Sequence, residues 1–178
     1  MKIIMRDHVD FVLSQWHAQC PGLDVSPMAV FSRLFRLHTL AAREADTAFR
    51  QHGLHQGEFD VLATLYRSGP PHTLNPQALV SALLLSSGAM THRLDRLEQA
   101  GLLAREPNPD DRRSVMVSLT PQGLRVTKAV LGDYLAELEQ LLAPLAAPDR
   151  KQLATLLRRL LAAHDHHAPG AIGTGRKP

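Results

Sequence analysis

The sequence predicts a mainly α-helical fold that carries one β-hairpin. Leucine and alanine recur three and four residues apart over most of the chain, which is the spacing of amphipathic helices. Hydrophobic residues make up 44% of the sequence and aromatic residues only 4%, and this leucine-rich composition favours packed helices over a sheet. Apolar and polar residues alternate in a short region after Leu102, next to a turn-rich stretch, which indicates the hairpin.

Composition narrows the class of protein. With 178 residues the chain is long enough to bury one core without a stabilising crosslink. The single cysteine, Cys20, excludes an intramolecular disulfide framework, and Arg6 and Asp7 interrupt the only apolar run near the start. No apolar stretch approaches the length of a membrane span. We therefore expect a cytoplasmic protein without a membrane partner. The net charge of +3 and the pI of about 9.4 are compatible with a nucleic-acid partner, although there is no polybasic run.

The first part of the chain predicts two helices of unequal length. A short extra helix extends over about residues 7–19 and carries Trp16 among its apolar residues. Ser26 as N-cap, followed by Pro27 at the first helical position, then opens a long helix that Gly53 closes.

The middle of the chain predicts three further helices, the last two of them short and closely connected. The first covers about residues 56–67 and ends in a Gly- and Pro-rich stretch. Asn75 then caps a helix that continues to about Leu83, and Ser86 caps the next one, which stops at Gly101.

The hairpin and two long helices complete the predicted fold. The turn of the hairpin lies at residues 107–111, and Thr120 and Pro148 open the two long leucine-striped helices. The tail is rich in Gly and Pro, so we expect it to be disordered. We divide the chain into the extra helix with the first long helix (1–52), a lobe of shorter helices with the hairpin (53–123), the C-terminal helices (124–167) and the tail (168–178).

The order of these elements is that of a winged helix-turn-helix, in which the second short helix enters the major groove of double-stranded DNA. Helical spacing directs Met90, Leu94 and Leu97 inward. An ordinary solvated helix face would show the same pattern, and arginines at the hairpin tip favour the DNA-binding interpretation. The candidate DNA contacts are Ser87, Gly88, Thr91, His92 and Arg96 on the helix, with Arg112 and Arg113 at the tip.

Two segments resemble the multiple-antibiotic-resistance regulator (MarR) family. Residues 111–123, DRRSVMVSLTPQG, are similar to the wing signature of that family, with Asp111 and Arg113 at its Asp-x-Arg. Residues 91–102, THRLDRLEQAGL, are similar to its recognition helix, and the resemblance extends from about residue 28 to about residue 163. It implies a homodimer that binds an inverted-repeat operator, usually as a repressor. The long leucine stripes independently indicate a partner surface.

Polar residues on inward faces indicate a second site. Arg93 lies about 60° from the centre of the inner face of its helix, and Arg105 shares a strand face with Leu103. A buried guanidinium needs an anion, and Asp60 is the nearest candidate in the pattern. The alternative is that these residues form surface salt bridges, for example between Asp60 and Arg67.

The urate-responsive branch of the family supplies an interpretation of these residues. In that branch a Trp on an added N-terminal helix, an Asp and two Arg form a ligand pocket, and Trp16, Asp60, Arg93 and Arg105 stand at the matching positions. The resemblance implies that urate, a related purine or a phenolic anion competes for the arginines, breaks an Asp60–Arg93 pair and releases DNA. Trp16 would serve equally well as a core or dimer-interface anchor.

Other functions remain open at this point. Cys20 would allow peroxide sensing, the histidines of residues 164–167 would bind a metal opportunistically, and leucine-striped helices also suit a protein-binding adaptor. No phosphate loop, metalloprotease pair or nucleophile elbow is present, and residues 86–88 are better explained as a helix cap. We therefore expect no enzyme activity, no cofactor and no functional metal.

Overall fold

A computed structural model describes residues 7–108 and 114–164. Within them the chain is mostly helical, with one small antiparallel sheet, as the sequence predicts. The elements are α1 (His8–Gln19), α2 (Ser26–Gln51), α3 (Gln56–Arg67), β1 (Thr73–Leu74), α4 (Pro76–Leu83), α5 (Ser87–Gln99), β2 (Leu103–Pro107), β3 (Val115–Leu119), α6 (Pro121–Leu142) and α7 (Ala147–Ala162).

Side-chain caps begin three of the helices where the sequence predicts them. The side chains of Asn75, Ser86 and Thr120 each accept a hydrogen bond from the backbone N–H three residues later, at 2.8, 3.3 and 2.9 Å. Each cap satisfies one of the amide groups that have no partner inside the helix. The starts of α4, α5 and α6 are therefore confirmed.

The predicted cap of α2 is wrong by one residue. Ser26 is already helical, and Val25 occupies the N-cap position without a side-chain hydrogen bond. The Ser26 N–H instead donates to Oδ1 of Asp24 at 2.9 Å. The Asp24 side chain thus forms an Asx turn ahead of the helix and accepts from its first backbone amide. The sequence pattern assigns this capping role to the Ser26 hydroxyl.

The sheet contains one more strand than the sequence predicts. Strands β2 and β3 pair antiparallel, with Leu103 opposite Leu119, and form the expected hairpin. Strand β1 pairs with the other edge of β3, so that the order is β1-β3-β2. Its length of two residues leaves too little alternation for a sequence pattern to reveal it.

The core lies between α3, α5 and the sheet. Val61, Leu62 and Leu65 of α3 are fully buried, and they belong to one apolar cluster with the inner face of α5. Met90, Leu94 and Leu97 are all buried there, which confirms the inward face predicted for that helix. Packing of this kind fixes which side of α5 remains on the surface.

The turn between α4 and α5 is tight and contains an unusual leucine. Leu84 has φ +52° and is 81% exposed. A left-handed conformation costs a residue with a Cβ atom about 1–2 kcal/mol relative to its ordinary conformation. It lets α5 begin after only three intervening residues.

The helices outside this core keep a large apolar surface in the single chain. Helix α7 buries none of its residues. Exposed residues on α2, α6 and α7 include Phe31, Phe35, Leu37, Leu135, Leu156 and Leu161. In the described ranges no helix combines the length and apolarity needed to cross a bilayer.

Candidate nucleic-acid interface

The outward face of α5 has the composition predicted for a DNA-reading helix. Ser87, Gly88, Thr91 and His92 are all exposed. A Cβ atom on Gly88 would meet nothing within 4 Å, so internal packing does not require glycine there. Small and hydroxyl side chains at the N-terminal end of the helix allow close approach to a base edge or a phosphate.

An open groove of about 450 Å³ extends this face between α4 and α5. Its rim presents amide and hydroxyl groups over an apolar floor. The lining residues are Pro76, Gln77, Val80, Ser81, Ser87, Met90 and Thr91. Neutral hydrogen-bonding groups of this kind commonly contact the DNA backbone. Sequence reasoning did not single out Gln77 and Ser81, although both lie on the first of two short helices, where a backbone contact is expected.

Arg96 is held by the protein itself. Its Nε lies 2.8 Å from Oε1 of Glu58 on α3, and the Glu58 side chain is only 6% exposed. Arg96, predicted as a DNA contact, is therefore an ion-pair partner in the free chain. Sequence reasoning missed Glu58, but helical spacing would have found it, because it lies one and two turns before the buried Leu62 and Leu65.

Arg93 packs against the first turn of α3, on the inner shoulder of α5 as predicted. Its Nη1 donates to the carbonyl oxygen of Gly57 at 3.3 Å. A Cβ atom at position 57 would overlap the guanidinium, so glycine makes this close approach possible. Asp60 lies close enough to Arg93 and Arg67 for their positive charges to favour the ionised form of its carboxyl group.

Asp60 does not form the direct ion pair expected from the sequence. Among the described residues no ion pair joins it to Arg93 or to Arg67. Burial raises the pKa of Asp60 above its usual value, and the two nearby arginines lower it only in part. The reason is geometric: Arg93 extends over the backbone of Gly57 instead of toward the carboxylate.

Arg105 points toward protein, as its strand face predicts, but toward the opposite flank of α5. Its Nη1 lies 2.6 Å from Oδ1 of Asp95 and 3.0 Å from Oε2 of Glu98. By helical spacing, positions 95 and 98 lie on the shoulder opposite position 93. The structure thus brings Asp60 and Arg93 together and places Arg105 apart from them.

Trp16 lies on α1, which packs against α2, and it is 40% exposed. The helix is fastened to α2 near its start, where Arg33 donates to Asp7 at 2.9 Å and to Asp10 at 2.7 Å. The structure shows no contact between Trp16 and the other three predicted ligand residues.

The remaining candidates lie at the edges of the described chain. Arg112 and Arg113 at the hairpin tip, like Asp111, fall outside the described residues. Cys20 is partly buried at the end of α1. His164 is exposed after α7, whereas residues 165–167 are not described. Within residues 7–108 and 114–164 no three His, Cys, Asp or Glu side chains group closely enough to hold a metal ion.

Comparison with known proteins identifies the class of regulator. The model of the MarR family matches residues 54–115, which span α3 to the start of β3. The HTH-type transcriptional regulator PecS of Dickeya dadantii (strain 3937) is 39% identical over 152 residues, which cover 85% of this chain and 92% of PecS.

Solved structures agree with this relationship. Wild-type apo MarR from E. coli superposes with a TM-score of 0.63 at 25% identity, covering 74% of this chain and 96% of MarR. A MarR mutant from E. coli complexed with operator DNA gives a TM-score of 0.64 at 23% identity, over 82% of this chain and 97% of that one. The similarity of fold and the similarity of sequence over most of the chain therefore indicate the same family. The chain is thus a DNA-binding transcription regulator and not an enzyme, and it belongs to the MarR family.

Proposed function

We propose that this regulator binds an inverted-repeat operator as a homodimer and that a small anionic aromatic ligand, such as urate, releases it from the DNA. The observation that carries the ligand half of the proposal is the position of Arg93 on the inner shoulder of α5, where it contacts Gly57 and lies near the Asp60 carboxylate without an ion pair to it. Asp60 is a half-buried carboxylate, and Arg93 uses one long hydrogen bond to a backbone carbonyl. The Arg93 guanidinium therefore has donors left for an anionic ligand.

The exposed face of α5 supports operator binding. Its serine, threonine and histidine side chains, together with the groove toward α4, form a surface of hydrogen-bonding groups. The MarR mutant that shares this fold is complexed with operator DNA. In a winged helix-turn-helix this helix enters the major groove, and the hairpin reaches an adjacent groove.

The unpartnered helices support a homodimer. Helix α7 buries nothing in the single chain, although leucines lie along its length. A groove lined by Phe31, Leu34, Leu157, Leu160 and Leu161 continues this surface onto α2. Contiguous apolar surface of this extent marks a protein interface, and two-fold symmetry would match an inverted repeat. Light scattering should give the mass of two chains, about twice 19.6 kDa.

The chemistry of the site favours an anion with a flat ring. A guanidinium donates two parallel hydrogen bonds to an anionic oxygen, and an indole stacks on an aromatic ring. Arg93 would bind the anion and Trp16 of α1 would supply the stacking surface. Arg105 would join the site by exchanging Asp95 and Glu98 for the ligand.

Release of DNA follows from what the arginines do in the free chain. Arg93 and Arg105 attach opposite shoulders of α5 to α3 and to the wing. A ligand that recruits either arginine removes one attachment and favours a different placement of the helix. Because ligand and DNA then prefer different placements, each weakens the binding of the other.

A gel-shift titration with DNA from the regulator's own promoter region tests the proposal. Urate should release the wild type and should fail to release Arg93→Gln. Arg43→Gln is the matched control, because Arg43 pairs only with Glu44 on the exposed face of α2. Hypoxanthine, a neutral purine of similar shape, should release neither protein.

Two outcomes would change the proposal. DNA binding that urate leaves untouched, together with no heat in isothermal titration, would reject urate as the ligand and keep the regulator. No binding to any fragment of the promoter region would count against the proposed operator binding.

A further inference from the structure

We propose that Glu58 is a positioning residue for DNA binding: its buried carboxylate sets the rotation of the recognition helix by holding Arg96. This inference rests on the proposed operator binding and does not depend on the identity of the ligand. Glu58 and Arg96 lie outside the set formed by Trp16, Asp60, Arg93 and Arg105.

Both oxygens of the Glu58 carboxylate have partners. Oε1 lies 2.8 Å from Nε of Arg96 in an ion pair, and Oε2 accepts from the backbone N–H of His55 at 2.9 Å. Glu58 is also the third residue of α3, where the helix dipole favours a negative charge. The start of α3 thus holds the carboxylate in place independently of Arg96.

The burial of the two partners is unequal, and this decides which one positions the other. The Glu58 side chain is 6% exposed and that of Arg96 48%. A buried carboxylate without a cation is strongly unfavourable, whereas a half-exposed guanidinium is well solvated alone. Glu58 therefore requires Arg96, and the position of Arg96 follows from the rigid first turn of α3.

The attachment acts on the rotation of α5 about its own axis. Arg93 and Arg96 lie one helical turn apart and contact the consecutive residues Gly57 and Glu58. By helical spacing, Arg96 lies about 40° from the outward His92, at the border between the buried shoulder and the DNA-facing side. Holding Arg96 therefore fixes the direction in which His92 and Thr91 point.

An operator-binding cycle with Glu58→Gln, Arg96→Gln and the double variant tests this role. Glutamine keeps the size of each site while it removes the charge. We expect each single variant to weaken operator binding about tenfold and the double variant to be no weaker than either single one. The slope of log affinity against log salt should match that of the wild type, because no phosphate contact is lost.

The opposite pattern would overturn the inference. If Arg96 contacted a phosphate directly, Arg96→Gln would lower the salt slope by about one, while Glu58→Gln would leave affinity unchanged or increase it. Arg96→Lys sharpens the distinction, since lysine keeps the charge but lacks the planar guanidinium whose Nε lies beside Glu58. We expect it to weaken operator binding about as much as Arg96→Gln does.

Glu44→Gln is the matched control for a removed carboxylate, because Glu44 is partly buried and pairs with its neighbour Arg43 within α2. Hydrogen exchange of the α5 amides is a second readout that requires no DNA. Exchange should be faster in both Glu58→Gln and Arg96→Lys than in the wild type, and unchanged exchange would reject the positioning role. Failure of the wild type to bind its promoter DNA would instead count against the proposed function.

Discussion

Arg105 of strand β2 and Asp95 of helix α5 form an ion pair with 2.6 Å between Nη1 and Oδ1. The same nitrogen lies 3.0 Å from Glu98 one turn further along the helix. Helix α5 is connected to β2 through Gly101, whose φ of +69° suits the end of a helix. The ion pair and this short connection therefore both link the wing to the recognition helix.

Replacing Arg105 should change the release of DNA by urate much more than it changes the stability of the fold. Arg105→Gln should lower the free energy of unfolding by less than about 1 kcal/mol, because the pairs are partly exposed to solvent. It should abolish the release of operator DNA by urate, because this arginine is a proposed ligand contact. Urea denaturation and the gel shift measure the two effects, with Arg43→Gln as control. A variant that urate releases like the wild type would narrow the ligand site to Asp60 and Arg93.

Removing the charge of Asp60 should stabilise the fold. Burial raises the pKa of Asp60 above its usual 3.8, so the folded chain keeps this proton at pH values where the unfolded chain has lost it. Stability from this group is present at low pH and falls as pH rises through the raised pKa. Asp60→Asn should therefore have a higher Tm than the wild type at pH 7, and the difference should shrink toward pH 3. A lower Tm at pH 7 would show that the carboxylate has a stabilising partner.

Acid should loosen the attachment of α1. Hydrogen bonding from Arg33 is the main cause that lowers the pKa of Asp7, while the Asp7 backbone and then Arg33 lower the pKa of Asp10. For a lowered pKa the contribution is complete above the usual value of 3.8 and is lost as pH falls through the folded value. Trp16, the only tryptophan in the sequence, reports on this helix. Its emission should change below about pH 4, and in Arg33→Ala the change should already be present at pH 7. Identical spectra for the two proteins at pH 7 would contradict this attachment.

Two glycines of α6 should respond in opposite directions to the same substitution. Gly123 is buried, and a Cβ atom there would overlap the carbonyl oxygen of Leu102, so Gly123→Ala should cost about 2–3 kcal/mol or more. Gly132 has open space around its Cβ position, so Gly132→Ala should stabilise the helix by about 0.5–1 kcal/mol. Urea denaturation of both variants checks the pair. If Gly123→Ala stabilised the protein as much as Gly132→Ala, the backbone at Leu102 would have to move at little cost in free energy.

Sequence reasoning found the helices because their caps and apolar spacing are local signals. Asn75, Ser86 and Thr120 each cap the helix that they were predicted to begin. It missed β1, which is too short to carry a pattern, and it misplaced the cap of α2 because Asp24 competes with Ser26. Caps and periodicity extend over a few neighbouring residues, and strand pairing does not.

The polar contacts of α5 were harder to predict because they join residues far apart in the chain. The inward tilt of Arg93 followed from helical spacing, but its partner did not, since the pattern favoured Asp60 and the structure has Gly57. Arg96 was predicted to lie outward and is exposed, but its ion pair with Glu58 on α3 was not predicted. Which of several nearby carboxylates meets a given arginine depends on how two helices cross, and spacing along one helix contains no such information.

The partly exposed arginine contacts of α5 determine how much free energy a change in the placement of this helix would cost. Each exposed ion pair contributes about 0.2–1 kcal/mol, and shifting a two-state equilibrium from 1:99 to 99:1 requires about 5.5 kcal/mol of differential binding. A micromolar ligand binds with about 8 kcal/mol in total. Helix α5 rests on an apolar core but is oriented by arginine contacts on both of its shoulders. A ligand would therefore need to bind the two placements of α5 with affinities that differ by a large part of its total binding energy, and exchanging the arginine contacts takes less than unpacking the leucines beneath the helix.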